Sequence, residues 1–233
     1  MPSGLSRRQL ARVLESVADF PSPDIDLEQY LTPAELAAHL GHLAAVQGDL
    51  TDATVLDLGT GTGMLALAAG QYAPDGVVGV DVDADALVQA RRNEVTIGEA
   101  AREVGATSTV EPDSGYEWIR ADVSRLPLER ARFSAPVTVL SNPPFGAQRG
   151  NRHADRRFLE AAADLADVSY TIHNEGSQAF VESFAADEGG TVTHAFEAEF
   201  PIDHRFAFHD RERAMLEAEV FRVEWREGGR SRS

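Results

Sequence analysis

Residues 54–70, "TVLDLGTGTGMLALAAG", pass from a short apolar stretch through three glycines at alternate positions into a run of leucine and alanine. This order predicts a strand, a tight turn and a helix start in immediate succession. Gly59, Gly61 and Gly63 let the backbone turn sharply and come close to a ligand, with the N–H groups of a helix start just beyond. The dinucleotide fingerprint G-x-G-x-x-G uses a similar turn. Here the third glycine falls one position early, and Met64 stands where that fingerprint needs it. Asp57, just before the turn, suits a cofactor with a cationic amino group better than one with a pyrophosphate. S-adenosylmethionine is therefore expected rather than a nicotinamide. A glycine turn can also serve only to pack a helix on a strand, so the following strands matter. "VVGVDVD" ends in Asp81, about 20 residues on, where a carboxylate accepts hydrogen bonds from ribose hydroxyls. Asp83 fits as the N-cap of the next helix. Asp122, in "IRADVS", suits either an Asx turn or acceptance of a hydrogen bond from the cofactor's adenine amino group.

Outward from this loop the chain alternates. Leu10, Val13, Leu14 and Val17 recur at helical spacing, and "LTPAELAAHLGHLAAVQG" reads as a second helix with Thr32 as N-cap, Pro33 at N1 and Glu35 closing a capping box. "TVLDLG", "VVGVD", "YEWIRAD", "PVTVLSN" and "DVSYTIH" are strand-like, and helical stretches around 62–73, 84–97 and 155–166 separate several of them. "TVTHAFEAEFPI" and "EAEVFRVEW" follow with only a polar loop between them, which predicts an antiparallel edge. The expected fold is α/β: a mostly parallel sheet of seven strands with helices on both faces. Residues 98–115 read as a surface insertion.

Length and composition bound the rest. A chain of 233 residues with 43% apolar content buries one sizeable core. It contains no cysteine, which excludes disulfides and thiolate metal sites, and no metal site is expected. No stretch approaches the roughly 18 apolar residues of a membrane span, so a cytoplasmic protein is expected. Acidic residues number 38 against 21 basic ones, for a net charge of −17, and all 21 are arginine. Such a surface resembles the proteins of salt-loving archaea, where molar salt shortens the Debye length to about 3 Å and removes most self-repulsion. An ordinary acidic protein that binds no polyanion would show the same balance. Under the high-salt reading, acidity does not exclude RNA as a substrate.

The second informative stretch is "VLSNPPFGAQRGNR", residues 139–152. It closes the fourth strand of the nucleotide-binding region, at the carboxyl end of the sheet where ligands of open α/β folds bind. Two prolines fix φ and remove two backbone donors. Asn142 adds a side-chain acceptor. Together Asn142 and the Pro143 carbonyl can hold both N–H bonds of a planar amino group, and Phe145 offers a face for a base to stack on. Catalysis would then be mainly positioning, with Asn142, Pro143, Pro144 and Phe145 as the catalytic turn. Downstream, "GAQRGNRHADRR" sets Arg149, Arg152, Arg156 and Arg157 against Asp155 alone, a pattern that suits RNA phosphates and splayed bases but also a solvated loop leading into a helix. Arg205, Arg211 and Arg213 form a second basic group.

With these motifs in place, the chain resembles the class I (Rossmann-like) amino-group methyltransferases with an Asn-Pro-Pro-aromatic turn, in particular the methyltransferase-like protein five family. "DLEQYLTP", "NPPFG", "SYTIHN", "FPI…FAFH" and "EAEVFRV" carry the resemblance, which spans most of residues 5–225. It implies methylation of adenosine N6 in small-subunit ribosomal RNA. It also implies that Gln29, Tyr30 and Thr32 close over the cofactor, and that His173 and His209 lie near the RNA. Residues 1–32 would then be a helical extension and cofactor-closing segment, 33–227 the methyltransferase domain and 228–233 a tail. The resemblance further implies a heterodimer with a small zinc-binding activator subunit, paired with the sheet edge at "YEWIR". Rival readings are a release-factor glutamine methyltransferase, whose amide presents the same two donors, an rRNA guanine N2 methyltransferase, and a cofactor-binding assembly factor.

Overall fold

The structure, a computed structural model, describes residues 5–104, 115–144, 154–202 and 214–225. Its seven strands are β1 (Thr54–Leu58), β2 (Gly76–Asp81), β3 (Tyr116–Arg120), β4 (Val137–Ser141), β5 (Val168–Asn174), β6 (Gly190–Ile202) and β7 (Ala214–Trp225). They form one sheet in the order β3-β2-β1-β4-β5-β7-β6, parallel from β3 to β5 and antiparallel where β7 joins β5 and β6 joins β7. The helices are α1 (Arg7–Leu14), α2 (Ala34–Gln47), α3 (Met64–Gly70), α4 (Ala84–Glu103), α5 (Ala154–Leu165) and α6 (Gln178–Asp187). None among the described residues is long and apolar enough to cross a membrane.

Neighbouring residues of the central strands face opposite layers. Val55, Val77, Leu140 and Tyr170 pack with α1, α2 and α3, whereas Leu56, Leu58, Val139 and Phe221 pack with α5 and α6. Fully burying a leucine such as Leu56 or Leu58 contributes roughly 1.5–3 kcal/mol. The N-terminal helix shares the first layer's core through Leu10, Val13 and Leu14. At the amino end of the strands, Arg222 of β7 grips Asp49 with two hydrogen bonds, of 2.8 and 2.9 Å, and ties the sheet to the turn after α2.

β3 is an open edge. Its Tyr116 and Trp118 stack at 5.9 Å with planes 2° apart. Trp118 lies directly over Gly79 of β2, where a Cβ would run into the indole, so only glycine admits this ring.

Three local expectations are corrected. α2 begins at Ala34 with Pro33 as N-cap and no side-chain cap bond, because the Thr32 hydroxyl is engaged elsewhere. α4 continues to Glu103, burying Ile97 and Ala101, so the surface insertion begins later than residue 98. α6 was not expected, although Val181, Phe184 and Ala185 recur at helical spacing before the positive-φ Gly189.

Candidate methyl-transfer site

The turn after β1 and the turn after β4 lie side by side, since these two strands pair and both loops leave their carboxyl ends. β1 has β2 on one side and β4 on the other, which makes this the topological switch point of the sheet. A cavity of about 300 Å³ opens there.

Its floor is the glycine turn. The Gly59 and Thr60 N–H groups both donate to the Val80 carbonyl, at 2.8 and 2.9 Å, and the Gly61 N–H donates to Asp81 Oδ2 at 2.8 Å. Gly61 adopts φ 55°, and a Cβ there would meet the Phe20 ring at 2.7 Å, so both backbone conformation and space require glycine. Gly63 caps α3 and is turned toward Trp118 instead of lining the cavity, so its part is packing. Asp81 Oδ1 takes the Asp83 N–H at 2.9 Å. Asp83 caps α4 as expected, and its other oxygen accepts from Gln29 Nε2 at 2.7 Å.

Asp57 is the unusual group. It is 1% exposed; its Oδ2 accepts from the Thr60 hydroxyl and the Ala66 N–H at 2.6 and 2.9 Å, while its Oδ1 is buried with no partner among the described residues. Burial pushes its carboxyl up to about 7, against those two hydrogen bonds and with a further rise from neighbouring Asp81. Burial raises Asp81 as well. Asp122 stands on the cavity wall and also makes the Asx turn: its Oδ1 accepts the Ser124 N–H and hydroxyl at 2.9 and 2.7 Å, which lowers its pKa.

The roof is the chain before α2, fastened at three places. Asn93 of α4 makes four hydrogen bonds, accepting from the Ala18 N–H and Gln89 Nε2 and donating to the Ala18 and Thr62 carbonyls. Gln29 reaches Asp83. Tyr30 donates its hydroxyl to Asn142 Oδ1 and Asn142 Nδ2 donates to Thr32 Oγ1, both at 3.0 Å. Sequence reading gave no part to Phe20 or Asn93, because their contacts span the chain and leave no local periodicity.

Asn142 and Pro144 line the cavity, and Pro143 is buried beside them. Phe145, Arg149, Arg152 and His209, with Arg205, Arg211 and Arg213, lie outside the described residues. One expected RNA contact needs correction. His173 is 1% exposed, packed edge-on to Phe221 with Nε2 on Thr171, so it has no surface to offer RNA. Arg156 pairs along α5 with Glu160, at 3.0 Å, and lies over the Phe184 ring, while its side chain stays about half exposed. Its neighbour Arg157 lines the cavity.

A family model described as ribosomal protein L11 methyltransferase (PrmA) matches residues 40–115, the part of the chain that carries the glycine turn, β2 and α4. Over 223 residues the chain is 34% identical to the protein MJ0284 of Methanocaldococcus jannaschii, covering 94% of each. It is 32% identical over 222 residues to the rRNA N(6)-adenosine-methyltransferase Mettl5 of Drosophila melanogaster, covering 94% of this chain and 97% of that one. The chain belongs to the METTL5 family. Among solved structures, PH1948 of Pyrococcus horikoshii, described as a candidate RNA methyltransferase, matches with a TM-score of 0.78 at 30% identity, over 95% of this chain and 98% of that one. As a METTL5-family enzyme the protein is a methyltransferase that uses S-adenosylmethionine. The cavity fits this cofactor, since its lining sets the carboxylates Asp57, Asp81 and Asp122 around the glycine turn.

Proposed function

We propose that this protein methylates the N6 amino group of an adenosine in small-subunit ribosomal RNA. The observation that carries the reading is the Asn142 side chain, held at the end of β4 on the wall of the cofactor cavity. Whole-length likeness to the Drosophila rRNA enzyme supports the same target class. The PrmA match ends before β4 and so speaks for the cofactor half alone.

The bound cofactor supplies a sulfonium methyl, a group that needs no nucleophilic residue to release it. Asp57 and Asp81 would hold its amino and ribose groups, Asp122 its adenine amino group, and Gln29 would close the roof through Asp83. Asn142 Oδ1 keeps a lone pair beyond the one used by Tyr30. With the Pro143 carbonyl it would accept the two N–H bonds of the target amine, leaving the nitrogen lone pair facing the cavity. Phe145 would stack on the extruded base, worth roughly 1–3 kcal/mol. The work is orientation, and the acceptors serve as positioning for an in-line displacement.

Arg157 lines the same cavity and makes no ion pair among the described residues, so it is the cation of this stretch best placed for an RNA phosphate beside Arg149 and Arg152. Arg157→Glu is expected to weaken RNA binding by about tenfold, and Arg156→Glu by less than about twofold. Filter binding at the lowest salt in which the protein stays folded measures both. Equal losses would count against this assignment.

The zinc-binding activator subunit is proposed as partner at β3. Among the described residues no strand pairs with its outer edge, and α4 beside it exposes Val88 and Val95, at 43% and 61%. Labelled S-adenosylmethionine, protein-free small-subunit ribosomal RNA and release factor, with and without the activator in molar salt, test both proposals. Label in N6-methyladenosine is the expected result. Label in glutamine or N2-methylguanosine would overturn the target, and full activity without co-elution of the activator would overturn the partner.

A further inference from the structure

We infer that Tyr30 and Thr32 are positioning residues whose hydroxyls fix the plane of the Asn142 amide, and with it the acceptor that receives the target amine. The inference rests on Asn142 being that acceptor.

The terminal torsion of asparagine has a broad potential, so nothing intrinsic keeps an amide at a strand end in one plane. Here both ends of the amide are held. Oδ1 takes the Tyr30 hydroxyl and Nδ2 gives to Thr32 Oγ1, each at 3.0 Å. The two hydroxyls come from one short segment, and that segment is itself anchored. Gln29 between its neighbours is tied to Asp83 at 2.7 Å and accepts the Asp24 N–H at 2.8 Å, and Pro33 begins α2 directly after Thr32. Burial raises the Tyr30 hydroxyl far above its ordinary pKa, so it remains a donor at every working pH.

Thr32 adds an independent sign. A threonine just before a helix usually caps it, yet α2 has no side-chain cap and Thr32 Oγ1 instead accepts from Asn142 Nδ2. A local preference is set aside at the one place where it serves the reacting group, which is where functional sites depart from local rules. Tyr30 and Thr32 also line the cavity, so the segment that covers the cofactor is the one that orients the acceptor.

The test compares Tyr30→Phe, Thr32→Val and Thr32→Ser with Asn142→Ala. Each of the first two removes a hydroxyl and keeps the shape. Both are expected to lower kcat by about 10- to 100-fold, the scale of a misplacement near 1 Å. Binding of S-adenosylhomocysteine, measured by calorimetry, should stay within about threefold, and Thr32→Ser should restore kcat to within about threefold of the parent. Loss confined to cofactor affinity would make these residues a lid alone and overturn the inference, as would unchanged kcat beside an inactive Asn142→Ala protein. A normally active Asn142→Ala protein would instead remove the acceptor reading, and the inference with it.

Discussion

Asn142→Ala is expected to cut methyl transfer by about 10³-fold while cofactor affinity changes only several-fold, the magnitude seen when one preorganised polar partner of a reacting group is deleted. Two effects act together. The target amine loses its side-chain acceptor, and the Tyr30 and Thr32 hydroxyls lose their common partner. Only the second touches the cofactor, and only through one of the three places at which the roof is fastened, since Asn93 and Asp83 hold the rest. Single-turnover methylation of RNA read beside calorimetric binding of S-adenosylhomocysteine separates the two. Turnover within about tenfold of the parent would show that the Asn-Pro-Pro turn serves the fold and not the chemistry.

Cofactor affinity is expected to depend on pH in the neutral range, and to do so through Asp57. Its carboxyl stands at about 7 in the folded protein against an ordinary value of 3.8. The folded chain therefore binds this proton more tightly than the unfolded chain. Its contribution to stability is fully present below the unfolded value and is lost as pH rises toward 7. Above that point the free protein carries a buried carboxylate, whose cost a cationic amino group bound beside it would relieve. Affinity should rise by up to about tenfold per pH unit from 5 to 7 and then level off. Asp57→Asn keeps an oxygen for Thr60 and Ala66 but places an amide where the free oxygen was. It should bind about 10- to 100-fold more weakly at pH 7.5, with a melting temperature that no longer falls as pH rises. Asp81, which burial also raises, adds a slope of the same sign. An unchanged slope in Asp57→Asn would reject the assignment.

The sheet was legible because its strands are short β-branched runs between glycine and helix signals, and the glycine turn and Asn-Pro-Pro turn mark two adjacent strand ends by residue type alone. Asp83 was legible as a cap for the same local reason. What sequence could not supply was pairing across distance. Tyr30 and Asn142 stand 112 positions apart, and Ala18 and Asn93 stand 75 apart, so no spacing rule relates them. Local rules also misled where a side chain had a better partner. Thr32 has the chemistry of a cap and spends it on Asn142. Of the adjacent arginines Arg156 and Arg157, no local rule says which pairs with Glu160 and which lines the cavity. His173 shows the same limit, for nothing in "SYTIHN" states which face of β5 lies beneath α5.

The indole of Trp118, seated on Gly79, bears on how such a protein changes over generations. Gly79 adjoins Val80, whose carbonyl anchors the glycine turn, and Trp118 belongs to the edge strand of the described sheet. Any side chain gained at Gly79 must be matched by a smaller residue at Trp118, and a smaller residue there remakes the outer edge of the sheet. Drift at the sheet edge and drift under the cofactor loop are thereby inherited together, and a lineage that alters one must pass through paired substitutions to keep the other.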